Sequence, residues 1–165
     1  MKNKTLWKQV GAAAIAAAMV MSTVPATPVQ AAGGKMLAVS SQKQLNQALK
    51  TVKGKNAVIT VKAGKNVKIT IPKGTYKVTI RVVGKKAAVV NNGTVKEIVV
   101  NSKGTVAIKN NGTIKKVTVQ NAKSVSFSGN CKKAVPVVVN AEDVSMILAA
   151  PAKITAKKDV NLSLI

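Results

Sequence analysis

The 165-residue chain contains no histidine, one cysteine, four acidic residues and three aromatic residues, Trp7, Tyr76 and Phe127. Without histidine it lacks the side chain that most often serves as a general base near neutral pH and most often ligates metal. With Cys131 alone, no disulfide can form within one chain, and no histidine is present to activate the thiol as a nucleophile. Cys131 stands where other repeat units carry glycine, so a structural thiol at a turn is expected. The acids are Glu97, Glu142, Asp143 and Asp159. Glycoside hydrolysis needs two carboxyl groups roughly 5–10 Å apart. The one close pair, Glu142 and Asp143, are chain neighbours that point to different faces. Counting by the repeat sets Lys116 and Lys77, not acids, beside Glu97. No Gly-x-Ser-x-Gly elbow occurs; composition leaves open only a Ser–Lys pair. Catalysis and a cofactor or metal are therefore not expected.

What the chain has is lysine. Lys and Arg together number 27 against four acids, for a net charge of +23, and Arg81 is the sole arginine. Lysine supplies diffuse, hydrated point charge, whereas arginine supplies forked recognition of phosphate or carboxylate. The bias fits charge-based contact with a polyanion better than a shaped anion pocket. It equally fits plain solubility.

Residues 1–31 read as a secretory signal peptide. Lys2, Lys4 and Lys8 precede an apolar stretch from Val10 to Met21, Pro25 and Pro28 end it, and Val29-Gln30-Ala31 offers small residues for cleavage after Ala31. The apolar stretch is shorter than the roughly 20 residues that span a bilayer. Removing the segment leaves a net charge of +20 and no transmembrane segment. Residues 32–38 then read as a linker. Residues 39–53 read as a capping helix, with Ser40 or Ser41 at its start, Leu45, Ala48, Leu49 and Val52 on one face, and Gly54 as a stop.

From residue 54 to 165 the chain repeats every 19 or 20 residues. Gly54, Gly74, Gly93, Gly112 and Cys131 open successive units. Thirteen residues on lie Val67, Ala87, Val106, Val125 and Val144, and fifteen on lie Ile69, Val89, Ile108, Phe127 and Met146. Each unit holds two short alternating runs, such as Val58–Val61 and Val67–Ile71, the pattern of a stacked solenoid. The expected fold is all-β: a parallel β-solenoid of about six rungs, roughly 29 Å long at about 4.8 Å per rung, with the helix covering its first edge. Such stacking explains how a chain poor in aromatics can still build a core. Asn92, Asn111 and Asn130 recur at 19-residue spacing in the turns and should stack as an amide ladder, and Thr75, Thr94 and Thr113 form a second column.

The helix residues Val39 to Leu49, the strand Val58-Ile59-Thr60-Val61 and the turn Ile71-Pro72-Lys73-Gly74-Thr75-Tyr76 together resemble the right-handed parallel β-helices of the pectate-lyase-like group. The resemblance extends over roughly residues 39–165 and implies the right-handed sense. The units are shorter than in many enzymes of that group, which implies slim coils without functional loop insertions and a short, non-enzymatic bacterial member. The leader, from Pro25 to Ala32, resembles those of Gram-positive bacteria and implies a secreted, extracellular or wall-associated protein.

The expected function is a non-catalytic structural or adhesive surface contacting anionic cell-wall or extracellular polysaccharide through Lys62, Lys68, Lys96, Lys109, Lys115 and Lys123. Outward lysines also deter edge-to-edge aggregation, and both roles are compatible. The alternatives are a remnant of a polysaccharide-active β-helix enzyme, or ice binding, which the single Thr column and the abundant Lys disfavour. Specific nucleic-acid binding is not expected, because Arg and stacking aromatics are scarce. The apolar run from Val160 to Ile165 is expected to favour self-association through the last rung.

Overall fold

Alternation of β-branched and polar residues gives two strands per repeat, and each strand lies parallel to its counterpart one repeat on. The computed structural model describes residues 34–62, 66–157 and 160–164. The expected leader and its cleavage point at Ala31 lie outside the described residues. In chain order the elements are β1 (Lys35–Val39), α1 (Gln42–Thr51), β2 (Ala57–Val61), β3 (Val67–Ile71), β4 (Thr75–Val82), β5 (Lys86–Asn91) and β6 (Thr94–Asn101). Then come β7 (Thr105–Asn110), β8 (Thr113–Ile114), β9 (Val117–Asn121), β10 (Ser124–Ser128), β11 (Val135–Val139), β12 (Val144–Ala149), β13 (Ala152–Ala156) and β14 (Val160–Leu164). One sheet, sheet A, runs β1-β2-β4-β6-β9-β11-β13, with β8 also paired to β6; the other, sheet B, runs β3-β5-β7-β10-β12-β14. The chain is a parallel β-solenoid.

The core fills the space between the sheets with stacked columns. Ile59, Ile80, Ile98, Val117, Val137 and Ile154 form one on sheet A, and Ile69, Val89, Ile108, Phe127 and Leu148 face it from sheet B. All are essentially fully buried. Pro136 sits inside β11, but pairing to β9 begins only at Val137, so its missing N–H costs that ladder nothing.

Three features differ from the sequence expectation. Among the described residues sheet A has seven rungs rather than six, because the segment read as a linker forms β1, in register with β2 from Lys35↔Ala57 to Val39↔Val61. Its apolar signal is short: Met36 is 67% exposed and only Val39 is fully buried. Its strand character comes from pairing with β2. The second difference is register. Val125 pairs with Met146 and Phe127 with Leu148, not with Val144 and Met146 as a fixed count gives. The chain gains a residue at each corner flanking β11, and a slip of two residues leaves every side chain on its expected face. The third is that α1 does more than cover an end. It occupies the sheet B position of the first rung, packing on β1 and β3 and burying Leu45, Ala48 and Leu49. Ser41 caps it, accepting from Gln44 N at 3.3 Å, while the Gln44 side chain reaches back to accept from the N–H of the preceding residue, Ser40, at 2.7 Å. The Gln42 amide then bonds the edge of β3 as a strand would: Thr70 N donates to Gln42 Oε1 at 2.6 Å, and Gln42 Nε2 donates to Thr70 O at 2.8 Å.

Candidate functional site

The corner leading from sheet B into sheet A repeats one five-residue pattern three times: Lys73-Gly74-Thr75-Tyr76-Lys77, Asn92-Gly93-Thr94-Val95-Lys96 and Asn111-Gly112-Thr113-Ile114-Lys115. The glycines allow close stacking. A methyl group on Gly112 would run into the carbonyl oxygen of Gly93, and one on Gly93 would lie 2.5 Å from the Pro72 carbonyl oxygen. Backbone bonds lock the stack, with Thr94 N donating to Gly74 O at 2.7 Å, Thr113 N to Gly93 O at 2.8 Å and Lys115 N to Val95 O at 3.2 Å. Tyr76, Val95 and Ile114 are mutually paired and turn inward. Alternation therefore sends the residues on either side outward. Thr75, Thr94 and Thr113 make one paired column; Lys96 and Lys115 stand next to it in 19-residue register, and Lys77 follows Tyr76 at the point where the β4–β6 register shifts. All three lysines are exposed.

Two amide ladders support this strip. On the surface, Asn111 Nδ2 donates to Asn92 Oδ1 at 3.0 Å. Beneath it, Asn91 and Asn110 end β5 and β7 and are fully buried. Asn91 Nδ2 donates to Asn110 Oδ1 and to Gly93 O, each at 2.9 Å, and to Thr113 O at 3.3 Å. Gly93 N and Gly112 N donate back to the Oδ1 atoms of Asn91 and Asn110. A buried polar pair is tolerable because its hydrogen-bonding groups are so largely met.

The expected residues divide among three surfaces. Lys96 and Lys115 stand in register in the strip, and Lys77, which sequence reading passed over as a contact residue, is exposed at the corresponding place one rung earlier, at the β4 bulge; its signal was the same 19-residue spacing. Lys62 and Lys123 lie at the opposite corner. Lys68 and Lys109 are exposed on the outer face of sheet B, beside Ala88 and Val90 respectively, in different columns. There Ala88 and Ala107 floor a shallow trough of about 370 Å³ flanked by Lys68 and Lys86. The six lysines are thus not one cluster. Of the three expected ladder asparagines, Asn92 and Asn111 bond each other, while Asn130 is exposed and the ladder stops before it.

The opposite corner is built differently. The Ser102 hydroxyl donates to Gly84 O and accepts from Gly104 N, the latter at 3.1 Å. Lys85, Gly104 and Lys123 share a level, so that position holds lysine only on alternate rungs, with Lys103 one residue earlier on the rung between, and Glu142 and Asp143 follow. Asp143 adopts a left-handed φ of 52°. The remaining described acid, Glu97, is 7% exposed: its Oε1 accepts from Thr118 Oγ1 at 2.5 Å and lies 3.6 Å from Lys116 Nζ. Lys116 is the neighbour expected from the repeat. On the other side Glu97 meets Thr79 rather than Lys77, because β4 bulges between Tyr76 and Thr79. Among the described residues, no group of three or more His, Cys, Asp or Glu side chains could hold a metal ion.

No family model matches this chain, and neither a curated protein nor a solved structure matches it.

Proposed function

We propose that this chain is a secreted, non-catalytic β-solenoid whose Thr–Lys strip holds a linear polyanion, an acidic cell-wall or extracellular polysaccharide. The observation that carries this reading is the paired column Thr75, Thr94 and Thr113 on successive rungs, with the exposed Lys77, Lys96 and Lys115 each standing one residue beyond the paired Tyr76, Val95 and Ile114. A polymer with regularly spaced charges lying along the solenoid axis meets one ammonium about every 4.8 Å. The threonine hydroxyls can donate to and accept from sugar hydroxyls beside it. Like charges one rung apart repel, and an anionic chain removes that repulsion. Among the described residues the aromatics are Tyr76, half-buried, and Phe127, 1% exposed, so bases would find no stacking platform. The leader-like sequence of residues 1–31 supports export, and the resemblance to pectate-lyase-like β-helices supports a polysaccharide setting.

The test is retention on immobilised acidic polysaccharide over a salt gradient. The wild-type chain should bind at low salt and release as salt rises. Replacing Lys77, Lys96 and Lys115 together by Gln should lower the slope of log affinity against log salt by roughly 2–3. No retention at low salt, or a triple variant indistinguishable from wild type, would overturn the reading.

A further inference from the structure

The strip ends at a built notch. β8 pairs with β6 on one side, and the next rung brings no strand to its other side. Instead residues 130–134 leave the ladder, opening a cleft of about 590 Å³, a size typical of small-ligand pockets. Asn110, Gly112, Thr113, Cys131, Lys132 and Lys133 are among the residues lining it. The amide nitrogen of Asn110, in a residue 0% exposed, has no hydrogen-bond partner.

The rung below shows what is missing. There the equivalent nitrogen, Asn91 Nδ2, meets three carbonyl-type oxygens: Gly93 O, Asn110 Oδ1 and Thr113 O. One rung on, the counterpart of Asn110 is Gly129, which has no side-chain amide, and the counterpart of Thr113 by spacing is Lys132, which lines the cleft. A buried donor without an acceptor is costly. The acceptor that fits its sister site is a planar, sp² oxygen, and the cleft's lining includes two exposed lysines, Lys132 and Lys133.

We propose that this notch binds a carboxylate, one oxygen taking the Asn110 amide hydrogen and the other facing the ammonium groups of Lys132 and Lys133. The proposal rests on the polyanion reading and deepens it, because a sugar carboxylate at the end of a bound polymer would enter the notch as the chain leaves the strip. A free small carboxylate offers the same chemistry.

The test is NMR titration of the isotope-labelled full chain with glucuronic acid, with a glucuronate oligosaccharide, with uncharged glucuronamide and with sodium sulfate. The Asn110 side-chain amide and the Lys132 and Lys133 backbone amides should shift saturably with glucuronic acid and stay still with glucuronamide. An oligosaccharide midpoint about tenfold lower, with shifts reaching Thr113 and Lys115, assigns the site to a polymer end. Equal midpoints assign it to a free carboxylate; both results support the proposal. Asn110→Asp keeps the acceptor used by Asn91 and Gly112 while removing the donor and adding repulsion, and should abolish the shifts at Lys132 and Lys133. Lys132→Ala with Lys133→Ala, at exposed positions that leave the fold intact, should weaken binding about tenfold. Silence of these signals with both uronates, a sulfate midpoint equal to that of glucuronic acid, or unaltered binding by both variants would overturn the proposal. If the notch is silent while the strip still retains polysaccharide, only the notch assignment fails. If retention is also absent, the underlying polyanion reading fails with it.

Discussion

The two corners of the solenoid carry comparable numbers of lysines and differ in what those lysines can do. At the corner from sheet B to sheet A, three Gly-Thr-x-Lys units recur at 19-residue spacing; close glycine packing stacks them, and two amide ladders join the second to the third. Charges there form a lattice. At the corner from sheet A to sheet B, the level of Lys85 and Lys123 passes through Gly104, and Glu142 and Asp143 come next. Charges there are scattered and partly offset. On the polyanion reading proposed above, repeat register, more than net charge, would turn this basic surface into a template for a polymer.

The sharpest way to break the comparison is to remove what holds the first corner in phase. Asn91→Ala deletes a buried amide that donates to three oxygens and accepts from Gly93 N. Leaving those groups unpaired should cost about 3 kcal/mol by urea denaturation. Ser102→Ala, the matching change at the other corner, removes one donor and one acceptor and should cost about 1–2 kcal/mol. Equal losses would mean that the corners are held equally.

A second experiment compares charge with arrangement directly. Replacing Lys85, Lys103 and Lys123 by Gln removes as much charge as replacing Lys77, Lys96 and Lys115. The in-phase triple should lower affinity for an acidic polysaccharide about tenfold or more at moderate salt, and the out-of-phase triple should stay within about threefold of wild type. If both triples weaken binding alike, net charge alone accounts for retention.

How much of this was legible depends on whether a feature is periodic. The inward positions of the core were, because an inward position stays inward even when the count slips by two residues, although that slip sets Phe127 against Leu148 rather than Met146. The Lys116–Glu97 neighbourhood followed from the same spacing, and so would Lys77 have done. The strand β1 did not, since Lys35 and Met36 mask its two inward residues and only pairing with β2 makes it a strand. The Thr118–Glu97 bond is a diagonal contact that no column count predicts. The notch was hidden for a similar reason: it exists because residues 130–134 depart from the repeat, and a departure has no period to read.

The smallest effect expected is at the first rung, and it sharpens the comparison most finely. Gln42 pins the open edge of β3 through Thr70 N and Thr70 O, next to the strand's last residue, Ile71, and just ahead of the first Gly-Thr-x-Lys turn. Gln42→Ala should cost about 1 kcal/mol, since the freed backbone groups can still reach water. Its consequence for function is local. Hydrogen exchange should accelerate at Thr70 and at the amides of residues 73–77, while those of residues 111–115 keep their protection. If the strip works as a lattice, a frayed first rung takes Lys77 out of line with Lys96, and the salt dependence of polysaccharide binding should fall by about one ion, the contribution of a single lysine. An unchanged salt dependence despite faster exchange would mean that Lys77 binds from wherever it stands, and that the register of this corner matters less than its charge.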